Sequence, residues 1–411
     1  MGGGNGFLYM AKKVIRGNFL ALLLSWTVWR FSMRISGPYR SPFIIQVLGG
    51  TPTIIGIISS IRSIIRLIVF IPGGYLADSV GRKRIVSTMT FFMATASLIY
   101  VFALDWRWAL AATIFQSVSS IYMPALRAIT ADSLPPEYRG IGFALQSYLP
   151  SLPAIFSPMI GAILIENYGY DFGIRLAFGI QFICGIAAAL IRTIFLKETL
   201  KVEEKKEEKF NLTKTFSETF KTLIEIPFQL KCIIIASIIG DLGMNVVDQY
   251  RILYATNIKG LEVFSWGTIL TITNGVTIII GLITGILLDK YGKRRISTLT
   301  GIIFTISTIL FINAENFETF LLAMIMISLS RFGVSSGLRA LQADLTPREK
   351  RGKVNAAGMM ISQLIIIPLA YIAGVGYEMN PITPFIMDLI FASITVTLLI
   401  TVIREPKKRY Y

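Results

Sequence analysis

The chain contains no histidine, and cysteine occurs only twice in 411 residues, at Cys184 and Cys232. Without imidazole, the commonest metal ligand and the commonest general base near neutral pH are both missing. The two cysteines lie in or beside apolar runs with no C-x-x-C spacing, which supports neither a metal site nor a disulfide framework. No nucleophile-and-base pattern or cofactor loop stands in for them, so an enzyme is not expected, and neither is a cofactor or a metal. Charge is scarce as well, at 16% of residues, against about a quarter in a typical soluble domain. Residues 196–229 form the only long polar stretch. With no soluble signalling domain and no separate basic domain, the net charge of +16 does not point to nucleic acid.

What the chain has in abundance is apolar residues, 54% of the total, gathered in runs of roughly 20, the length a helix needs to cross a bilayer. Reading those runs between charged and Pro/Gly breaks predicts twelve spans, near residues 18–37, 52–76, 85–104, 108–131, 140–165, 174–195, 230–256, 264–288, 296–313, 319–342, 354–376 and 383–403. The fold class is therefore all-α, a membrane protein of twelve transmembrane helices. With the N-terminus inside, the inner segments hold Lys12, Lys13, Arg16, Arg82 to Arg84, Arg139, Lys290 to Arg295, Arg348 to Lys353 and Arg404 to Arg409. The outer loops keep scattered ones such as Arg40, Arg107 and Lys259. This is the positive-inside pattern, and it predicts a multi-pass plasma-membrane protein with both termini cytoplasmic and its basic loops facing anionic lipid. The first span is too long, and followed by too many others, to be a cleaved signal peptide. The triplet Asn211, Leu212, Thr213 falls on the inner side and is read as chance.

Two stretches repeat. Gly74, Asp78, Gly81, Arg82, Lys83 and Arg84 return as Gly285, Asp289, Gly292, Lys293, Arg294 and Arg295, each set closing one apolar span and opening a short basic loop. The displacement, 289 − 78 = 211, is about half the chain. Arg127, Asp132, Pro135 and Arg139-Gly140 return as Arg339, Asp344, Pro347 and Arg351-Gly352, and Tyr39-Arg40 returns as Tyr250-Arg251. A duplicated bundle follows: residues 1–195 as one six-helix half, 230–411 as the other, and 196–229 as a cytoplasmic linker. In the linker, Phe216, Phe220, Leu223 and Ile224 form one apolar stripe of an interfacial helix.

With these motifs the chain resembles the major facilitator superfamily over essentially its whole length. The Gly-x-x-x-Asp-x-x-Gly-Arg-Lys-Arg signature between spans 2 and 3, and its echo between spans 8 and 9, carry most of the resemblance. Further similar stretches run from Gly161 to Gly169 and from Gly374 to Glu378, before Pro381 and Pro384-Phe385. The resemblance implies two six-helix halves that rock about a central cavity. It also implies a gate. Gly74 lets span 2 approach span 11 closely, the Asp78 carboxylate rests at the positive N-terminus of that helix, and Arg82 reaches Asp132. Arg84, Arg139, Gly285, Asp289, Lys293 and Arg295 belong to the same gating set. Lys293 stands where Arg82 does in the first copy, so a two-pronged carboxylate grip is weaker there.

Substrate chemistry is expected where charge is buried at mid-membrane. The first span contains Arg30 and Arg34, the second Arg62 and Arg66, the tenth Arg331. At about 2.5 to 3.5 kcal/mol for each central arginine, five facing lipid would cost on the order of 12 to 18 kcal/mol, so they must face a cavity or partners. On the seventh span Asp241, Asn245 and Asp248 share one face, and Arg30 maps onto Asp241 under the repeat, since 241 − 30 = 211. In the family, helices 1, 4, 7 and 10 line the cavity, which adds Gln116, Ser119, Ser120, Tyr122, Ser328 and Ser335 as wall residues. Five cations against two anions leave a positive surplus that suits a small anionic substrate gripped by guanidinium forks. The competing reading of the same residues is fixed salt bridges.

With no histidine, a coupled proton would ride on Asp241 or Asp248. Anion and proton would then move together; the opposite reading is antiport, in which an organic cation and a proton compete for Asp241. The stretch Ser157-Pro158-Met159-Ile160-Gly161-Ala162 is similar to the Gly-Pro-x-x-Gly-Gly signature of drug antiporters, with Ser and Ala at two of its glycines. A non-transporting receptor is a minor third reading. A monomer suffices for this fold.

Overall fold

The computed structural model describes residues 9, 11, 13–200, 221, 225–347 and 350–405. Most of them are helical, as long apolar runs must be where backbone polar groups have no water to bond. In chain order the long helices are α1 Gly17–Ser36, α2 Pro52–Val80, α3 Arg82–Val101 and α4 Trp106–Asp132, then α5 in two pieces, Arg139–Tyr148 and Ser157–Tyr168, and α6 Tyr170–Phe195. After the linker come α7 Phe228–Leu253, α8 Val263–Tyr291, α9 Lys293–Ile312, α10 Phe317–Leu345, α11 Arg351–Met379 and α12 Thr383–Thr401. Among the described residues, ten helices are long and apolar enough to cross a membrane. The two expected spans outside that set have physical reasons to be weak. Helix α1 carries Arg30 and Arg34 in its second half. Helix α5 is interrupted by 3-10 turns at Leu149–Ser151 and Pro153–Ile155, where Pro150 and Pro153 remove backbone donors.

The repeat is written into the local geometry. Gly81 and Gly292 have φ of 110° and 95°, Gly49 and Gly260 have 64° and 73°, and 292 − 81 and 260 − 49 both equal 211. These left-handed positions suit glycine, and they turn the chain between helices. Asp105 caps α4 by accepting from the Arg107 N–H at 2.8 Å, and Asn316, again 211 residues on, caps α10 in a capping box.

The chain groups into two units, Met1–Gly50 with Ile65–Leu212, and Thr51–Ile64 with Thr213–Tyr411. In the first, α6 packs on α1 and α3, α3 on α4, and α1 on α5. In the second, α12 packs on α7 and α9, α9 on α10, and α7 on α11, the same pattern one repeat later. The first unit is centred on Phe19, Leu22, Trp26, Val86 and Ile129; the second on Ile233, Ala236, Leu338 and Leu399. Residues 51–64, the first part of α2, group with the second unit. The reason is a tight contact with α11. Gly56 lies against the Ala370 carbonyl and Gly374, the Ser60 hydroxyl donates to the Ile367 carbonyl at 2.6 Å, and Thr53 hydrogen-bonds Glu378. The expected stripe of the linker, Phe216, Phe220, Leu223 and Ile224, lies outside the described residues, as do Lys12 and Arg348.

Candidate functional site

The 81–84 loop is organised by one guanidinium and one carboxylate. Arg82 Nη2 donates to Asp78 Oδ1 at 3.3 Å and Nη1 donates to Asp132 Oδ2, so the arginine ties the end of α2 to the end of α4. The Glu198 carboxylate, just past α6, accepts the N–H groups of Arg82 at 3.2 Å and Lys83 at 3.0 Å. Partial burial raises the pKa of Glu198, but those backbone donors, with Leu200 and Thr199, hold it below the usual carboxylate range. The second copy repeats the device with one prong fewer. Lys293 Nζ donates to Asp344 Oδ2 at 2.5 Å, no ion pair joins it to Asp289 among the described residues, and Glu405 accepts the Lys293 N–H at 2.7 Å. Arg84, Arg139, Asp289 and Arg295 are exposed.

Within the first unit, the close approach along α2 is at Gly73. A Cβ at Gly74 would meet no described atom within 4 Å, nor would one at Gly285, whereas one at Gly73 would run into the Ile121 carbonyl of α4. The contact is set by backbone against backbone, and the helical phase of α2 places Gly73 there.

Of the arginines singled out in the sequence, Arg30, Arg34 and Arg66 lie in the first unit. Arg30 is half-buried, and its Nη1 donates to the Ser147 carbonyl at 2.9 Å and the Ser151 hydroxyl at 3.0 Å, both neutral oxygens on or beside the broken α5. Arg34 is half-buried and Arg66 exposed, and no ion pair among the described residues reaches Arg30, Arg34 or Arg66. Arg62 is half-buried on the part of α2 that groups with the second unit, and Gln116 is half-buried on α4. A further arginine, Arg192 of α6, is buried at 2% exposure. It donates to the Ser25 and Thr90 hydroxyls at 3.1 and 2.8 Å and lies 5.6 Å from the Tyr122 ring centroid.

In the second unit Asp248 and Asp388 are joined to Arg331 and Arg251. Asp241, Asn245 and Asp248 are exposed along one face of α7, while Leu242, Met244, Val246 and Val247 are buried. Asp248 accepts from Arg331 Nη1 at 2.7 Å through one oxygen and faces Arg251 Nη1 at 3.3 Å through the other. Arg251 is buried, and its second arm lies 3.8 Å from Asp388 on α12. The count of five cations against two anions is therefore corrected: Arg331 pairs with Asp248, and a third acid, Asp388, shares Arg251 with it. Of the five arginines, the three that lie in the first unit and have no ion pair among the described residues are Arg30, Arg34 and Arg66. Asp388 stands in an apolar span, the same signal that marks Asp241. Glu198 and Glu405 were similarly signalled by the matching Lys197-Glu198 and Arg404-Glu405 after α6 and α12.

A sequence model described as the Major Facilitator Superfamily matches residues 19–407. A Na(+), Li(+), K(+)/H(+) antiporter of Planococcus maritimus is 24% identical over 340 residues, 74% of this chain and 78% of that protein. An uncharacterized MFS-type transporter of Methanocaldococcus jannaschii is 25% identical over 358 residues, 84% of this chain and 90% of the relative. Among solved structures, the nucleoside transporter NupG (D323A mutant) superposes with a TM-score of 0.71 at 15% identity, covering 93% of this chain and 98% of that one.

Proposed function

Because the chain belongs to the Major Facilitator Superfamily, a family of multi-pass membrane transporters, we propose that it is a secondary transporter of a small anionic solute, working by alternating access in the plasma membrane as a monomer with both termini cytoplasmic. The observation that carries the substrate class is Arg30. Its guanidinium is half-buried and, among the described residues, bonded to neutral oxygens only, so a large part of its charge is left for a ligand, and a carboxylate or phosphate meets it with charge-assisted hydrogen bonds. Arg34, one helical turn on, and Gln116 extend the same grip. Asp241 is the proposed proton carrier for coupling, and the Arg82–Asp78–Asp132 cluster is the proposed gate latch.

Thermal unfolding of the purified protein against a panel of anionic metabolites and lipophilic cations tests this reading. Stabilisation by anions, lost in Arg30→Gln, is the expected result. Stabilisation by hydrophobic cations alone, lost in Asp241→Asn, contradicts it. The second outcome corresponds to proton-coupled cation antiport. That reading is favoured by the exposed Asp241, which has no ion pair among the described residues, and by the name of the Planococcus relative.

A further inference from the structure

Four charged side chains of the second unit form a row: Arg331, Asp248, Arg251 and Asp388. Its inner end differs from its outer end. Each oxygen of Asp248 has its own guanidinium, at 2.7 and 3.3 Å. Asp388 is 1% exposed, yet its contacts are long, 3.8 Å to Arg251 Nη2 and 3.5 Å to the Thr308 hydroxyl of α9. Around it α7 supplies Asp248 and Arg251, α10 supplies Arg331, and α9 supplies Thr308; α11, which also packs on α12, brings it no ion pair or hydrogen bond among the described residues. The cleft it borders is otherwise apolar but for Thr395, whose hydroxyl donates to the Phe391 carbonyl, with Met244, Phe304, Val334 and Val396 in its walls. A Cβ at Gly243 would sit 2.6 Å from Asp388 Oδ1, so a glycine on α7 is what admits the acid here. Arg251 is itself imperfectly satisfied, since its buried Nε has no hydrogen-bond partner among the described residues.

We propose that Asp388 on α12 is a proton-binding site, and that Arg251 reports its charge to Asp248. An anion so deeply buried, with contacts this long, is poorly compensated, and a proton neutralises it without the several oxygen ligands that a metal cation would need from these walls. With Asp388 ionised, Arg251 is shared between two carboxylates. With Asp388 protonated, Arg251 belongs to Asp248 alone, and Asp248 in turn holds Arg331. Proton occupancy on α12 thereby sets how firmly α7 and α10 are tied together. This goes beyond the substrate reading and does not depend on the sign of the cargo, because the proton is bound off the polar face of α7.

The test is infrared difference spectroscopy of the protein in lipid vesicles, titrated with acid and with no solute added. A distinct component of the protonated carboxyl carbonyl band that grows on acidification in the wild type, is missing from Asp388→Asn and survives in Asp241→Asn is the expected result. Asp388→Glu keeps a carboxyl one methylene longer and displaces the band, which holds the test open if the asparagine variant folds poorly. An acid-induced band unchanged in both Asp388 variants, or its absence from the wild type, overturns the proposal. Neither outcome bears on whether anions stabilise the protein through Arg30.

Discussion

Arg82 and Lys293 occupy equivalent places in the two copies but grip differently, and the difference is a property of their head groups. A planar guanidinium spans two acids at once, Asp78 and Asp132, whereas one ammonium serves Asp344. Arg82→Lys should therefore keep one partner and lose the other, lowering stability by about 1 kcal/mol, because both acids are partly exposed; thermal unfolding measures it. Lys293→Arg should be neutral or slightly stabilising in the same assay. Glu198 makes a prediction in pH. Its lowered pKa in the folded protein means that its stabilisation is fully present above the ordinary carboxylate range and is lost as pH falls through that lowered value. Glu198→Gln should remove this dependence and raise hydrogen exchange at the Arg82 and Lys83 amides several-fold, after correction for intrinsic rates. Unchanged protection of both amides would show that the carboxylate does not hold the loop.

At the scale of helices, fit depends on which small residue faces a neighbour. Gly73 meets the Ile121 carbonyl, and Gly74 meets nothing described within 4 Å. Gly73→Val should destabilise by about 1 to 3 kcal/mol through overpacking, while Gly74→Ala should change stability by less than about 0.5 kcal/mol. Equal effects would refute this placement of the contact. Gly73 stands one residue before the motif, so the motif gave no sign of its contact with α4. Caps were plain in the chain, since Asp105 and Asn316 stand just before apolar runs at the repeat distance. The break in α5 was also signalled, by Pro150, Pro153 and Pro158 within 140–165, but an apolar count over that window conceals it.

At the scale of the molecule, the duplication was legible because it is a matter of spacing. The displacement of 211 relates the basic loops, the positive-φ glycines and the caps, whereas the contact of Arg82 with Asp132 was implied by the family resemblance and not by the spacing. Less legible was the partition of α2, whose residues 51–64 group with the second unit through Gly56 and Gly374; contacts between distant helices leave no periodic trace. Also hidden was the pairing of Arg331 with Asp248, which sets it apart from Arg30, Arg34 and Arg66 of the first unit, without an ion pair among the described residues. On that difference rests the central claim that Arg30 and Arg34 receive an anion. Counterflow of radiolabelled organic acids into vesicles carrying the purified protein tests it most directly. The account predicts accumulation by the wild type, and at least about a tenfold loss in Arg30→Gln, the weight of roughly one charged hydrogen bond. Accumulation of labelled acids at the wild-type rate in Arg30→Gln with Arg34→Gln would contradict it.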